Sequence, residues 1–418
     1  MIYQHTVNYI KNTPEYKKNT SAAGLKAYFD LNNNFQANLK IVPISGTVGK
    51  SCCAIMLTSI LRNAEYKVGR LLSSHVFDLR ERITINNQPI DHMKFAECAT
   101  IVIKVVNKAK KTEPDSALAN ISSQELIFAI SLAYFVECNC DLIIIDSGSP
   151  LDINILAALP SCSVNIITSI EDTNGDKTQT AKNLQSILPV IRQGMNEIIC
   201  NIKQSDDFNM LSRSCATISC RLTIPAQAEL EVTKSSLNSL NFTYRSRQYR
   251  LSNSAYYNIN NAITVIEASY ALRRMGMKIR SASIENGLFE ARLSAKFDII
   301  SVSPTIIVDC ATSPLKIAAM SDSLIKVKPS LINDKCIKLL YSEEIPVDII
   351  TKNSAVLFED NNFINHGEIP INPDSPTFAL KLRNALQELQ PDEILLCIGK
   401  TEFIGVVIFE TNKLLNNF

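Results

Sequence analysis

Glycine is scarce in this chain, at 12 of 418 residues, about 3% against a usual ~7%. Glycine lets a backbone approach a phosphate or turn at positive φ, so the few that remain are informative. An excess of either charge is also missing. Lys+Arg number 42 and Asp+Glu 41, which gives no electrostatic case for nucleic acid or an anionic membrane as the main partner. No run of apolar residues is long enough for a transmembrane helix. The first residues lack the charged start and apolar core of a signal peptide. The twelve cysteines lack zinc-site or redox CxxC spacing; Cys52-Cys53 are adjacent and Cys138 and Cys140 are one apart. They read as reduced small hydrophobes of a cytoplasmic protein. There is no internal repeat and no low-complexity tract.

What is present is ordinary globular composition, 46% hydrophobic and 20% charged, in a length that suggests two or three domains. Lys108-Ala109-Lys110-Lys111 reads as a solvated helix end. Periodicity predicts a short helix near Ala22–Phe29, a buried strand at Leu39–Ile44, a helix from Lys50 to Ala64 and a strand over Tyr66–Leu72. A hairpin-like piece follows around Ile83–Ile90. A helix around Met93–Lys110 is expected to bury Phe95, Cys98, Ile101, Val102 and Val105, and another runs over Gln124–Val136. Asp141–Asp146 is a continuous apolar strand ending in a carboxylate, the pattern of a strand covered on both faces. Val164–Ile170 and Ile198–Asn201 repeat it. Strands alternating with helices predict an α/β fold with a mainly parallel sheet. From about 215 to 252, polar–apolar alternation predicts a small antiparallel excursion. A helix, Asn261–Met275, buries Ala262, Val265, Ile266 and Leu272. A second α/β unit begins near Phe297, with strands at Thr305–Val308, Lys338–Tyr341, Ala355–Phe358 and Glu393–Cys397.

Between the first strand and its helix lies Gly46-Thr47-Val48-Gly49-Lys50-Ser51. Strand, glycine loop and helix start form the context of an ATP-type phosphate loop. Backbone N–H groups and the helix N-terminus favour an anion. Lys50 would hold the β- and γ-phosphates and Ser51 a magnesium ion. The first glycine of the full pattern is replaced by Ile44.

The following stretch is more specific. Ser73, His75, Glu81-Arg82-Ile83 and the Asn86–Ile90 turn match, in order and spacing, the S-P-H-L, E-R-I and N-G-x-P-I segments of folylpolyglutamate and dihydrofolate synthases. The chain thus resembles that branch of the Mur ligase superfamily. Weaker likeness extends through Phe242–Leu251, Tyr257–Ala262 (the family's Q-x-x-N-A), the Ala291–Asp298 linker, Asp309–Pro314 (its D-G-A-H-N-P) and Leu396–Gly399. The resemblance implies a P-loop α/β domain of the Mur central type over residues 1–293 and a smaller Rossmann-like α/β domain over 297–418. It implies ATP and Mg²⁺ as cofactors, and a folate-like acid and an amino acid as substrates. The acid would be activated as an acyl phosphate and attacked by the amine. Gly46, Thr47, Gly49, Lys50, Ser51, Asn261, Lys296 and Asp309 become nucleotide contacts; Ser51, Ser73 and Asp146 become metal ligands; Lys50 and His75 become catalytic residues. A monomer is expected.

Departures fall on the chemistry. Asp146 stands where the family has a metal-binding Glu, and the glycine pair after it is replaced at Ser149-Pro150. No histidine lies in Ser169–Asp176 where the family has G-L-D-H; Glu171 and Asp172 are candidate replacements, since carboxylates suit magnesium. The family's carbamylated lysine is absent from Gln185–Val190, with Lys182 one helical turn from Ser186. The linker's P-G-R becomes Ser294-Ala295-Lys296, which keeps a charge without the guanidinium fork. Thr312 and Ser313 replace the His and Asn of D-G-A-H-N-P, and Ile398-Gly399-Lys400 stands for the family's final T-G-S. The loop reads G-K-S where folate ligases read G-K-G-S/T, which leaves room for a different acid. A degenerate nucleotide-binding paralogue working with a partner protein is the alternative reading. Individual residues have plainer readings too: Asp146 as a turn cap, His75 as a loop residue, Asn261 as a helix N-cap. His5 and His366 read as surface residues.

Overall fold

Three sheets organise the chain. The computed structural model describes all residues except 1, 16–21, 148–153, 157–158, 160–162, 173, 175, 193, 203–205, 237, 328–336, 343–344, 346–348, 351–375, 391–392 and 416–418. The strand expected at Ala355–Phe358, His366 and the Ser149–Asp152 stretch lie outside the described residues. The largest sheet has eight strands: β1 (Ile41–Ser45), β2 (Val68–Leu71), β3 (Ile83–Ile85), β4 (Gln88–Pro89), β5 (Leu142–Asp146), β6 (Val164–Ile167), β7 (Glu197–Cys200) and β8 (Arg221–Thr223). Their order is β4-β3-β2-β5-β1-β6-β7-β8. All pairings are parallel except those within β2-β3-β4. Asn86 and Asn87, both at positive φ, make the tight turn between β3 and β4, the twist that two-residue hairpins favour.

Central strands β1, β5 and β6 are buried throughout. One face packs helices Ser123–Glu137 and His92–Thr112. The other packs helices Lys50–Asn63, Tyr257–Arg274 and Ser281–Glu290. Ala262, Val265, Ile266 and Leu272 are in that core as expected. Ile101 is not: it is 59% exposed on the outer side of its helix. The sequence spacing includes it only as a neighbour of Cys98 and Val102, and the helix turns it to solvent.

A three-stranded antiparallel sheet, β9 (Leu230–Ser236), β10 (Ser239–Tyr244) and β11 (Arg247–Leu251), lies against the second core. The excursion therefore begins at 230, not near 215. Asp206–Thr217 is a helix and β8 joins the large sheet in parallel. Residues 215–229 alternate too briefly to separate a helix end from a strand.

A second, smaller α/β unit holds β12 (Asp298–Val302), β13 (Thr305–Asp309), β14 (Ile337–Tyr341) and β15 (Ile394–Ile398), in the order β12-β13-β15-β14. Only β12 is antiparallel. Helices Pro314–Val327, Pro376–Gln387 and Thr401–Leu415 accompany it. No helix among the described residues is long and apolar enough to cross a membrane. The ten described cysteines are free thiols, eight of them buried.

Candidate active site

Strand order reverses at β1, which lies between β5 and β6. The crevice beyond the carboxyl ends of such strands is where open α/β sheets bind ligands. The glycine loop lies there. Gly46 has φ +129° and Gly49 φ +87°. A Cβ on Gly46 would lie 2.5 Å from Ser169 O, and one on Gly49 would collide with Asn261 Oδ1. The loop is held from outside: Thr47 N donates to Ser169 O (2.7 Å) and Thr168 Oγ1 to Val48 O (2.6 Å). Lys50 folds back, its ammonium donating to Gly46 O (2.8 Å) and Thr47 O (3.2 Å). It thereby rests over the loop. Ser51 is the half-buried second residue of the helix. These features fit a polyphosphate.

Asp146 ends β5 beside Ile44 of β1. It is buried at 2% exposure and accepts from Ser73 Oγ at 3.2 Å. The two expected metal ligands thus meet. Among the described residues no group of three or more His, Cys, Asp or Glu side chains is arranged to hold a metal. Magnesium keeps several waters and takes one or two carboxylates plus phosphate oxygens. One carboxylate with serine hydroxyls therefore fits magnesium arriving with a nucleotide. It does not fit a standing all-protein site.

Arg70 was not singled out from sequence. It lies in β2 at 6% exposure, bonded to Asn87 Oδ1. Burial lowers its pKa to about 10, and the Asp146 charge opposes that. A lone Arg inside the apolar run Val68–Leu72 was the signal.

Glu81 and Arg82 prove to be builders of the loop that carries Ser73 and His75. Glu81 accepts from the backbone N–H of Val76 (2.8 Å), Phe77 (3.1 Å) and Asp78 (3.1 Å). Arg82 donates to Leu72 O at 2.8 Å. Val76 packs against the core of the smaller unit. His75 is half-buried; burial, then Arg82, hold its pKa below the ordinary value against Glu81, Glu402 and Asp78. Its imidazole is accordingly neutral at pH 7.

On the side of the smaller unit, Asp309 ends β13 at 4% exposure. Its Oδ2 accepts from Tyr257 OH (2.8 Å) and Phe297 N (2.9 Å). Burial raises its pKa to about 6, with Lys296, the Tyr257 bond and the Phe297 N–H pulling down. Tyr257, also missed from sequence, is pushed well above the usual phenol range by burial and by Asp309. Nothing in its local sequence marks a phenol that meets a carboxylate 52 residues away. Burial pulls Lys296 down, yet Cys310, Cys52, Asp309 and Asp146 outweigh it and leave the ammonium above its ordinary value.

Asn261 lies inside the Tyr257–Arg274 helix rather than capping it; the N-cap is Tyr256. It begins a chain of amides instead. Asn261 Nδ2 donates to Asn258 Oδ1 (3.0 Å), Asn258 Nδ2 to Asn253 Oδ1 (2.9 Å), and Asn253 Nδ2 to Lys296 O (2.7 Å). The phosphate loop is thus tied to the linker.

The proposed substitutes do not converge in the same way. Asp172 accepts from Asn174 N (2.8 Å) and Asp176 N (3.2 Å), closing its own turn. Glu171 and Lys182 are exposed.

No family model matches the chain. It is 22% identical over 334 residues to the folylpolyglutamate synthase of Lacticaseibacillus casei, covering 75% of this chain and 74% of that one. It is 22% identical over 411 residues to the dihydrofolate synthase/folylpolyglutamate synthase of Buchnera aphidicola subsp. Baizongia pistaciae, covering 90% and 86%. A folylpolyglutamate synthase solved with AMPPCP and folate superposes with a TM-score of 0.81 at 18% identity, over 99% of this chain and 100% of that one. The structural likeness is one of fold, the Mur ligase fold. The sequence relatives and the solved structure together make the chain similar to folylpolyglutamate and dihydrofolate synthases along nearly its whole length.

Proposed function

We propose that the chain is an ATP-dependent acid–amine ligase of the folylpolyglutamate synthase kind. The observation that carries this is the glycine loop, with Lys50 resting on its carbonyls and the Asp146–Ser73 pair beside it. The loop N–H groups and Lys50 hold the triphosphate. A substrate carboxylate oxygen attacks the γ-phosphorus and ADP leaves. The amine then attacks the acyl phosphate carbonyl, phosphate leaves, and an amide remains. When bound, magnesium supplies charge neutralisation at the phosphate oxygens, with Asp146, Ser73 and Ser51 as its holders. His75, neutral near pH 7, is assigned to the incoming amine, whose proton it accepts. Asn261, Lys296 and Asp309 are assigned to the nucleotide. The ligand named with the solved relative makes a folate-like acid the first substrate to test. We assign residues 1–293 and 297–418 to the two domains, and favour a cytoplasmic monomer.

The test is incubation with ATP, Mg²⁺, a reduced folate and glutamate, followed by measurement of ADP and elongated product. Nucleotide binding without turnover across a panel of acids and amines would favour the second reading, a nucleotide-binding paralogue acting with a partner protein. The committed Asp172 carboxylate and exposed Lys182 are the observations on that side.

A further inference from the structure

Two lysines near the glycine loop have no acceptor among the described residues. Lys296 lies in the linker before β12. Lys316 is in the first turn of the Pro314–Val327 helix. Among the described residues neither ammonium makes a hydrogen bond or an ion pair. Both side chains are half-buried. Covered stems with unpartnered heads are the arrangement of cations that await an anion.

Their surroundings sharpen this. Lys316 lies within electrostatic range of Lys296, Lys50, Cys310 and Asp309. Burial, then repulsion from Lys296 and Lys50, hold its pKa below the ordinary lysine value. The one acid in that set, Asp309, already has Oδ2 committed to Tyr257 and Phe297. The ammonium groups of Lys50, Lys296 and Lys316, from three separate elements, thus share one neighbourhood with two carboxylates, Asp309 and Asp146. Their placement is fixed. Tyr256 N donates to Ser323 Oγ at 3.0 Å, and the Lys326 ammonium sits 5.0 Å from the centre of the Tyr256 ring. These contacts dock the Pro314–Val327 helix onto the start of the helix whose Asn261 abuts Gly49.

We propose that Lys316 is a phosphate-binding residue contributed by the smaller domain, which acts with Lys50 and Lys296 on the terminal phosphate of a nucleoside triphosphate and so distinguishes triphosphate from diphosphate. This rests on the reading of the glycine loop as a nucleotide site. The loop's N–H groups face the phosphates nearest it. The phosphate projecting away from the loop, toward the smaller domain, is the one that Lys316 meets. A third ammonium there neutralises charge in a site with a single carboxylate for metal.

The experiment is calorimetric titration of the full chain with a β,γ-methylene ATP analogue and with ADP, each with Mg²⁺ and with EDTA. It compares wild type with Lys316→Gln, Lys316→Arg and Lys50→Ala. Lys316→Gln should weaken the triphosphate analogue about tenfold and ADP by about twofold or less, with the larger loss in EDTA, and Lys316→Arg should keep most of the discrimination. Without nucleotide, Lys316→Gln should unfold at a higher temperature than wild type, because a repelled cation has been removed. Equal losses for both nucleotides, or none while Lys50→Ala abolishes binding, overturn the role of Lys316 and leave the loop reading intact. Absence of nucleotide binding by the wild type overturns the loop reading and this inference together.

Discussion

Two loops at the carboxyl end of the large sheet show how differently a site can be kept. Gly46–Ser51 follows β1, and Ser169–Asp176 follows β6. The first works through backbone: two glycines at positive φ and a lysine resting on loop carbonyls. In the second, side chains are spent on the loop's own architecture. Asp172 closes a turn, and Asp176 caps the next helix by accepting from Thr178 N at 2.8 Å. The two are also joined, since Thr168 and Ser169 brace the first loop from below. Backbone recognition of phosphate survives changes in surrounding side chains. Asp172, by contrast, turns Oδ2 back onto the backbone of its own loop. What the second segment visibly supplies is support for the first.

The largest expected effect comes from breaking the first loop. Lys50→Ala should lower ATP-analogue affinity about 100-fold, the loss of a charge-assisted phosphate contact in a half-buried site. Gly46→Ala should do at least as much and also destabilise the fold, because its Cβ enters the space of Thr168 Oγ1 and Ser169 O. Titration calorimetry and thermal unfolding of the two variants separate charge from shape. An unchanged affinity in either would remove the distinction between the loops.

The carboxylate on the other side, Asp309, gives a prediction that depends on pH. Its folded pKa of about 6 lies above the ordinary 3.8, with burial as the main cause. The protonated form therefore favours the folded state. That contribution is fully present below about pH 4 and is lost as pH rises through 6, a change of about 2–3 kcal/mol. Asp309→Asn should gain stability relative to wild type over that window, measured by urea unfolding at steps between pH 4 and 8. A difference that stays flat with pH would show that Asp309 is not buried as described.

How much of this was legible from sequence follows the same division. The glycine loop was legible because its chemistry is local: strand, glycines, lysine and helix are contiguous. Glu81 and Arg82 were legible as a pattern but not as a role. Their task is to hold the Ser73–Asp78 loop through hydrogen bonds to backbone, which spacing alone does not reveal. Lys50, Lys296 and Asp309 were brought together only by the resemblance, and Tyr257 and Lys316 were illegible, because their neighbours lie far apart in sequence. The helix at Asp206–Thr217 was missed because polar residues such as Asn209, Ser212 and Ser214 stand among its few apolar ones. Ile101 was misplaced because a helix position one step off the buried stripe looks apolar enough to belong to it.

A smaller effect tests the bracing role. Thr168→Val keeps shape but removes the hydroxyl that donates to Val48 O at 2.6 Å. The expected cost is about 1 kcal/mol of stability and a loss of nucleotide affinity of about fivefold. A loss of stability without any loss of affinity would mean that β6 supports the fold but not the phosphate loop.

The smallest expected effect is the most direct test of the comparison. Lys182 is the only lysine in the Lys177–Ile187 helix beyond its first residue, and it is exposed. A lysine that stabilises a metal through a carbamate must be aimed at the metal and held beside it, and an exposed side chain on the outer face of a helix is not. Lys182→Ala should therefore change neither nucleotide affinity nor ADP formation by more than about twofold. The measurement should be made in buffer with and without added bicarbonate. A bicarbonate-dependent activity that Lys182→Ala abolishes would mean that this helix reaches the site in the working enzyme. The Ser169–Asp176 loop would then be part of the chemistry rather than its support.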